Sequence, residues 1–213
     1  MSIENATAPC VRQDPATAVE IQRRYRKLRD INIRHHCGAM ERLSRSALLE
    51  HARRLGLAIG DELFAENNEE LTLVVDLAIY TGREGRSRAI DRYAKALRLP
   101  ADSDDGLMLE AMRRARFSLW KIERRHETIG LILTDLLRQS EVWLVDESSE
   151  ASAPIGLVFA SRLYQPEPFA MTAGILIPLN RDLLEGVMDD GLAWRHADPE
   201  RVANDPRFAT AIY

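Results

Sequence analysis

The stretch RFSLWKIERRHETIGLILTDLLRQSEVWLVD, residues Arg116–Asp146, decides the fold. Its short runs of β-branched, aromatic and leucine residues are separated by polar turn residues, a pattern typical of β-strands. Similar runs continue to Leu179, whereas the sequence before Arg116 repeats apolar residues at helical spacing among many arginines. This change of pattern predicts an α+β protein, with an irregular helical bundle ahead of a small β module.

Five strands are predicted in the β module, and five short strands with tight turns favour an antiparallel, barrel-like sheet. Their ranges are Phe117–Glu123, Leu131–Leu136, Val142–Asp146, Leu157–Leu163 and Phe169–Leu179. The segments between them are rich in Gly, Pro, Ser and charged residues. They are therefore expected to be turns, including the longer segment Ser148–Gly156.

Five helices with short links are predicted before the β module. The first extends from Pro15 to Cys37 and is expected to end at Gly38. Its buried face is expected to carry Ile21, Tyr25, Leu28, Asn32 and His35. The other four are expected to begin at Ser46, Asn68, Ser87 and Asp104 or Asp105.

The predicted organisation has four parts: a flexible tail (1–14), a helical domain (15–115), a barrel-like β domain (116–180) and a C-terminal segment (181–213). The last segment is expected to contain a helix, Arg181–Met188, followed by an irregular acidic tail that Trp194 and Phe208 anchor. If that helix packs against the first domain, the two domains instead share one continuous core.

Charge and cysteine content give few functional clues. The 213 residues carry a formal net charge of −4 and a pI near 5.8, so the chain lacks an overall basic signal for nucleic acid or membrane. Cys10 and Cys37 are the only cysteines and form no CxxC pair, which leaves no zinc or redox motif. Residues 1–15 lack the apolar segment of a signal peptide. We expect a cytoplasmic protein without a cofactor or a bound metal.

Two runs in the β module resemble an arrangement found elsewhere. GLILTDLL, residues 130–137, followed by EVWLVDE, residues 141–147, is similar to a β module of uncharacterised bacterial proteins. In some of those proteins the module accompanies a zinc-binding SEC-C motif. The resemblance implies a small barrel-like fold and no known activity. The SEC-C cysteines are absent from this chain, so zinc binding is not implied.

Two sets of basic residues are candidate sites for an anion or a nucleic acid. The first lies on the predicted first helix, away from its apolar face: Arg23, Arg24, Arg26, Lys27, Arg29 and Arg34. The second follows Gly82 at the start of a predicted helix: Arg83, Arg86, Arg88, Arg92 and Lys95. Solvated surfaces are the simpler explanation of both sets. The first set could also pair with the acidic runs Asp61–Glu70 and Asp182–Asp190.

The histidines also have simple structural explanations. His35 lies on the apolar face and is expected to be a hydrogen-bonded core residue. The adjacent His36 points about 100° away on a helix, so the two imidazoles cannot readily share a metal. His126 could carry out acid–base chemistry only if its side chain lies in a pocket together with Asp135 or Asp146.

The aromatic residues of the β module are expected mainly to fill its interior. Two of them are candidates for stacking on nucleic-acid bases: Trp120 and Tyr164, the latter beside Arg162 on what is predicted to be an exposed face.

Three functions remain open. The first is a non-enzymatic binding or regulatory protein, which contacts a protein partner or self-associates through the edge strand Phe169–Leu179. The second is a nucleic-acid-binding protein that uses the basic residues of 23–34 together with the aromatic residues on one continuous face. The third is a small hydrolase or transferase centred on His126.

Overall fold

The computed structural model describes residues 15–65, 67–82, 87–180, 198, 202 and 206–213. In this part of the chain, N-terminal helices pack together and are followed by an antiparallel half-barrel sheet and a short C-terminal helix. The predicted α+β class, with a helical bundle ahead of a barrel-like sheet, is confirmed. None of the helices described there is long and apolar enough to cross a membrane.

The N-terminal part contains the five predicted helices. They are α1 (Pro15–Met40), α2 (Arg45–Arg54), α3 (Asn68–Tyr80), α4 (Ala89–Leu97) and α5 (Asp104–Arg113). A short antiparallel hairpin that the sequence pattern did not reveal joins α2 to α3. Its strands are β1 (Ala58–Ile59) and β2 (Glu62–Leu63).

Helix α1 buries its predicted apolar face and ends later than expected. Four of the five predicted positions are almost fully buried: Tyr25, Leu28, Asn32 and His35. The prediction that Gly38 ends the helix is wrong, because α1 continues to Met40. Gly38 permits close packing instead, since a β-carbon there would lie 2.6 Å from the hydroxyl oxygen of Tyr93 on α4.

The predicted starts of α3 at Asn68 and of α5 at Asp104 are confirmed, whereas those of α2 and α4 are displaced by one or two residues. The capping side chains are Ser44 for α2, Asn67 for α3 and Ser103 for α5. Each accepts a hydrogen bond from a backbone N–H in the first turn of its helix. Ser46, which was expected to cap α2, therefore lies inside that helix. Before α4 the cap position is Arg88 rather than Ser87, and no side chain caps it.

Beyond α5 the chain forms one antiparallel sheet. Its strands are β3 (Arg116–Arg125), β4 (Leu131–Asp135), β5 (Ser140–Leu144), β6 (Val158–Tyr164), β7 (Met171–Thr172) and β8 (Ile177–Pro178). The order is β5-β4-β3-β6-β7, and β8 also pairs with β6. The fifth predicted strand, Phe169–Leu179, is in fact β7 and β8, because Gly174 adopts a φ of 102° between them.

The two ends of the sheet meet, which explains its barrel-like curvature. The backbone N–H of Val145 donates to the carbonyl of Ala170 at 3.0 Å, and the N–H of Ala170 donates to the carbonyl of Trp143 at 2.6 Å. These bonds join the end of β5 to the segment just before β7. The predicted edge at Phe169–Leu179 is therefore partly occupied within the chain.

Two further helices replace segments that were expected to be irregular. Helix α6 (Glu147–Ser152) occupies the predicted turn Ser148–Gly156, because Asp146 caps it by accepting from the N–H of Ser149 at 3.0 Å. Helix α7 (Pro206–Ile212) lies in the predicted irregular tail. Phe208 anchors α7 as predicted, with its ring 5.7 Å from that of Phe117. The predicted helix Arg181–Met188, Trp194 and the tail 1–14 fall outside the described residues.

The helices and the sheet share a hydrophobic core. Tyr25 and Leu28 of α1 pack in one buried cluster with Met112 of α5 and with Tyr164 and Met171 of the sheet. A second cluster lies within the sheet around Trp120 and Phe159. A third joins Leu77 of α3 to Phe117 of β3 and Phe208 of α7. The described parts of the helical and β modules therefore pack as a continuous interior.

Candidate functional site

A buried ion pair joins the helical part to the sheet. The Nε of Arg162 on β6 lies 2.9 Å from Oδ1 of Asp76 on α3, and its Nη2 lies 2.9 Å from Oδ2. Both residues are 5% exposed. Burial lowers the pKa of Arg162, but the adjacent carboxylate of Asp76 outweighs it, and the net pKa is raised. The guanidinium also covers the ring of Tyr80 at 4.6 Å, and the hydroxyl of Tyr213 donates to Asp76 at 2.9 Å.

His36 lies beside this pair and remains uncharged at neutral pH. Its Nε2 is 2.7 Å from the hydroxyl oxygen of Tyr80. Burial is the main cause that lowers the pKa of His36 to about 4, with smaller contributions from Arg29 and Arg162, while Asp76 acts in the opposite direction. His35 is a core residue as predicted, with Nδ1 3.1 Å from the Tyr93 hydroxyl and Nε2 3.2 Å from the backbone carbonyl of Asp105.

We expect the lowered pKa of His36 to make the protein less stable in mild acid. The unfolded state takes up a proton near pH 6.5 and the folded state only near pH 4. His36 therefore makes its full contribution to the free energy of unfolding above about pH 6.5. This contribution, of up to about 3 kcal/mol, is lost as the pH falls towards 4. Urea denaturation between pH 7 and pH 4 should show that the free energy of unfolding falls less steeply with pH in His36→Gln than in the wild-type protein. Equal slopes would contradict this assignment.

The basic face of α1 is largely occupied by carboxylates. Arg24 contacts Asp104 at 2.6 Å and Glu167 at 2.7 Å, and Lys27 contacts Asp104 at 2.6 Å. Hydrogen bonds from Lys27 and Arg24 hold the pKa of Asp104 below its usual value. Two exposed pairs continue this pattern, Arg26 with Glu147 at 2.7 Å and Arg34 with Asp105 at 3.0 Å.

The partners of α1 differ from those that the sequence suggested. The acids lie at the start of α5, at the start of α6 and in the segment before β7. Asp61, in the run that was expected to pair with α1, pairs instead with Arg53. The run Asp182–Asp190 falls outside the described residues. Arg29 points inward and donates to the backbone carbonyl of Thr172 at 2.9 Å. In the described part of the chain, Arg23 alone among the six predicted α1 cations is exposed without an ion pair or hydrogen bond.

The second basic set is only partly described. Arg83 and Arg86 lie outside the described residues. Arg88 forms a fork with Asp91 at 2.8 and 3.1 Å and donates to the backbone carbonyl of Arg113 at 2.6 Å. Arg92 and Lys95, further along α4, line a cleft between α4 and α5.

The predicted stacking residues are buried. Trp120 and Tyr164 are each 1% exposed, so the expectation that Tyr164 and Arg162 form an exposed pair is wrong. The indole N–H of Trp120 donates to the carbonyl of Ser161 at 2.9 Å. The hydroxyl of Tyr164 lies 3.4 Å from Arg29. Tyr164 is buried because it packs against α1, whereas Trp120 packs in the cluster within the sheet around Phe159. The expectation that these rings fill the interior is confirmed.

His126 does not meet the two carboxylates that were considered with it. Its ring stacks on Trp143 at 4.1 Å. Asp135 lies opposite Trp120 in the pairing of β3 with β4. Trp120 is five residues along β3 from Arg125, the residue before His126, and this separation corresponds to about 17 Å. Asp135 instead receives hydrogen bonds from Ser118 and Arg138, and Asp146 caps α6 and accepts from Thr172. No group of three or more potential metal ligands occurs among the described residues.

An apolar groove crosses the surface between α1, α3 and the β1–β2 hairpin. One cavity of about 310 Å³ is lined by Met40 on α1, by Leu71 and Val75 on α3 and by Ile175 near β8. A second cavity, of about 390 Å³, is lined by Leu63, Phe64 and the same Leu71. The two cavities share Leu71, and we call the surface that they form together the apolar groove. Phe64 is 50% exposed and Leu71 40% exposed.

Acidic residues adjoin the hairpin side of the apolar groove. Asp61 and Glu62 line the second cavity together with Arg45, which donates to the backbone carbonyl of Asp61. The run DELFAENNEE, residues 61–70, contains five carboxylates and no basic residue, and it also supplies Leu63 and Phe64. Glu62 and Glu69 are exposed, and neither has an ion pair within the described part of the chain. Sequence reasoning missed this surface. The available signal was a pair of large apolar residues, Leu63-Phe64, inside a strongly acidic and otherwise polar run.

Comparison with known proteins places the whole arrangement in one family. Residues 20–191 match the model of DUF7986, a family of unknown function. The match includes all five N-terminal helices, apart from the first turn of α1, and the entire sheet. No curated protein and no solved structure matches the chain. Because the match spans most of its length, the chain belongs to this family of unknown function.

Proposed function

We propose that the protein is a non-catalytic binding protein that docks a protein partner in the apolar groove. The observation that carries the proposal is the exposure of Met40, Leu63, Phe64 and Leu71 along two cavities that share Leu71. Large apolar side chains that remain exposed together in a folded chain are typical of interaction sites. Leu71 lines both cavities and Phe64 lines the second, and these two residues are the expected anchors of the interface.

The charge around the groove indicates the chemistry of the partner. A segment that covers Leu63, Phe64 and Leu71 comes close to Glu62, which lines the same cavity, while the exposed Glu69 lies two residues before Leu71 on α3. A basic amphipathic helix satisfies both requirements, because its apolar side chains fill the groove while its lysines or arginines face the acidic rim. A second copy of this chain fits less well, since a symmetric contact would bring two acidic rims together.

The alternatives have less support in the geometry. Nucleic-acid binding by α1 together with the β-module aromatics needs one continuous face, but the cations of α1 are mostly paired and Trp120 and Tyr164 are buried. A hydrolase centred on His126 lacks a nearby carboxylate in Asp135 or Asp146. We keep as a proposal that the β module is related to the one that accompanies SEC-C motifs, and that relation carries no activity.

The test combines Phe64→Ser with Leu71→Ser. Immobilised wild-type protein should retain a basic partner from nuclease-treated lysate, and the purified partner should bind at least about tenfold more weakly to the double variant. Ile155→Ser is the matched control, because Ile155 is 53% exposed and lies away from the groove. Both serine substitutions are at exposed sites, so the melting temperature should change little.

Glu62→Lys with Glu69→Lys tests the charge argument separately. These substitutions should also weaken binding of the partner, and raised salt should weaken the complex of the partner with the wild-type protein. Retention of every partner by the Phe64→Ser, Leu71→Ser variant would refute the groove as the docking site. Self-association that disappears in that variant would replace the basic partner with a second copy of the chain.

A further inference from the structure

The cleft between α4 and α5 carries positive charge that the protein does not neutralise. It has a volume of about 860 Å³ and is lined by Arg92, Lys95 and Arg98 of α4 and its C-cap. All three side chains are exposed, and within the described segments none of them pairs with a carboxylate. Arg92 donates only to the backbone carbonyl of Ser87.

The carboxylates in the cleft are already engaged. Asp91 accepts from Arg88 at 2.8 Å and from Arg113 at 3.1 Å. Glu110 contacts Arg113 and Arg114, each at 2.8 Å. Since both acids are held by other arginines, they do not compete for Arg92, Lys95 and Arg98. The cleft therefore presents a surplus of cations to solvent.

The backbone at Arg98 supports a role for its side chain. Arg98 follows the last residue of α4 with a φ of 50° and a ψ of 47°, in the left-handed region. Helices commonly end with such a residue, but it is usually glycine, because a β-carbon is unfavourable there. Arginine is therefore less favourable than glycine in this conformation and lowers the stability of the protein. Arg98, however, lines the cleft, as Lys95 does.

The walls of the cleft are partly apolar. Leu99 and Leu107 line it half-buried, with the buried Leu109 and Ala111 beneath them. A volume of this size and a mixed apolar and charged lining are typical of sites for small organic ligands. Clustered arginine and lysine side chains favour phosphate groups, to which guanidinium can donate two parallel hydrogen bonds.

We infer that this cleft binds a small organic polyphosphate, of the chemical class of a nucleoside di- or triphosphate. The phosphates contact Arg92, Lys95 and Arg98, and the organic part lies against Leu99 and Leu107. The restricted extent of the unpaired charge favours a small ligand. The neighbouring cations of α1 are held by Asp104 and Asp105, so no basic track leads from the cleft along that helix.

Calorimetric titration of the full chain with ATP, inorganic triphosphate and adenosine tests this inference. ATP should bind most tightly, triphosphate more weakly because it lacks the organic part, and adenosine not measurably. Raised salt should weaken ATP binding. Failure of ATP to bind at millimolar concentration would overturn the inference, and so would binding of adenosine as tight as that of ATP. A single-stranded oligonucleotide that binds more tightly than ATP would replace the small ligand with nucleic acid.

Variants assign the binding to the cleft. The double variant Lys95→Glu with Arg98→Glu should weaken ATP binding at least about tenfold. Arg23→Glu is the matched control, because Arg23 is an exposed, unpaired arginine of the described chain that does not line the cleft. Arg98→Gly should weaken ATP binding and raise the melting temperature, since glycine accepts the left-handed conformation. Unchanged ATP affinity in Lys95→Glu with Arg98→Glu would remove the cleft as the site.

Discussion

Asp76→Ala is expected to lower the free energy of unfolding by about 3–5 kcal/mol, because it leaves the guanidinium of Arg162 buried without a counter-charge. Arg162 is 5% exposed and directs two of its nitrogens at the carboxylate of Asp76. The hydroxyl of Tyr213 also loses its acceptor. Urea denaturation followed by circular dichroism at pH 7 measures the loss.

The double variant Asp76→Leu with Arg162→Met is the control for this prediction. It removes both charges and keeps apolar bulk, so it should recover much of the stability lost by Asp76→Ala. Tyr213→Phe should have a smaller effect, of about 1 kcal/mol, because it removes one hydrogen bond and leaves the ion pair intact. A loss below about 1 kcal/mol in Asp76→Ala would show that water reaches Arg162 and compensates its charge.

Trp120→Ala should destabilise the protein by a similar amount, about 3–5 kcal/mol. The indole is 1% exposed and packs in a buried cluster with Ile122, Leu133 and Phe159, which belong to three strands of the sheet. Its removal leaves a cavity and also deprives the carbonyl of Ser161 of the indole N–H, which donates to it at 2.9 Å. The same urea denaturation provides the measurement.

Trp120→Phe separates the two contributions. Phenylalanine retains most of the apolar contact but lacks the donor, so a smaller loss, of about 1–3 kcal/mol, is expected. If Trp120→Ala proved as stable as the wild-type protein while nucleic-acid binding fell, the indole would be a stacking residue on an accessible face, and its buried position would be wrong.

Much of the fold follows from local sequence. The 3.6-residue repeat of α1 correctly identified the face that Tyr25, Leu28 and His35 bury, because helix geometry alone decides which residues lie together. The strands β3, β4, β5 and β6 were found for the same reason, since bulky alternating runs between turn residues favour extended chain. The starts of α3 and α5 were also found, but those of α2 and α4 were less exact, because several neighbouring polar residues can each cap a helix.

The candidate sites depended on contacts between distant residues. The basic face of α1 was visible in the sequence, but Arg24 finds its partners 80 and 143 residues away, at Asp104 and Glu167. Nothing in the local pattern selects those two carboxylates over the many others. The apolar groove was likewise hidden, because the exposure of Phe64 and Leu71 depends on how β2 and α3 pack.

The sequence by itself determined the α+β class, the helical face of α1 and most of the strands, because these depend on spacings within a few residues. Only the tertiary structure decided that Gly38 is a packing contact with Tyr93, that Tyr164 is interior and that Arg162 pairs with Asp76. Each of these depends on which surfaces the fold brings together. That choice is made by the packing of the whole chain, and it determines which arginines and apolar side chains remain available for binding.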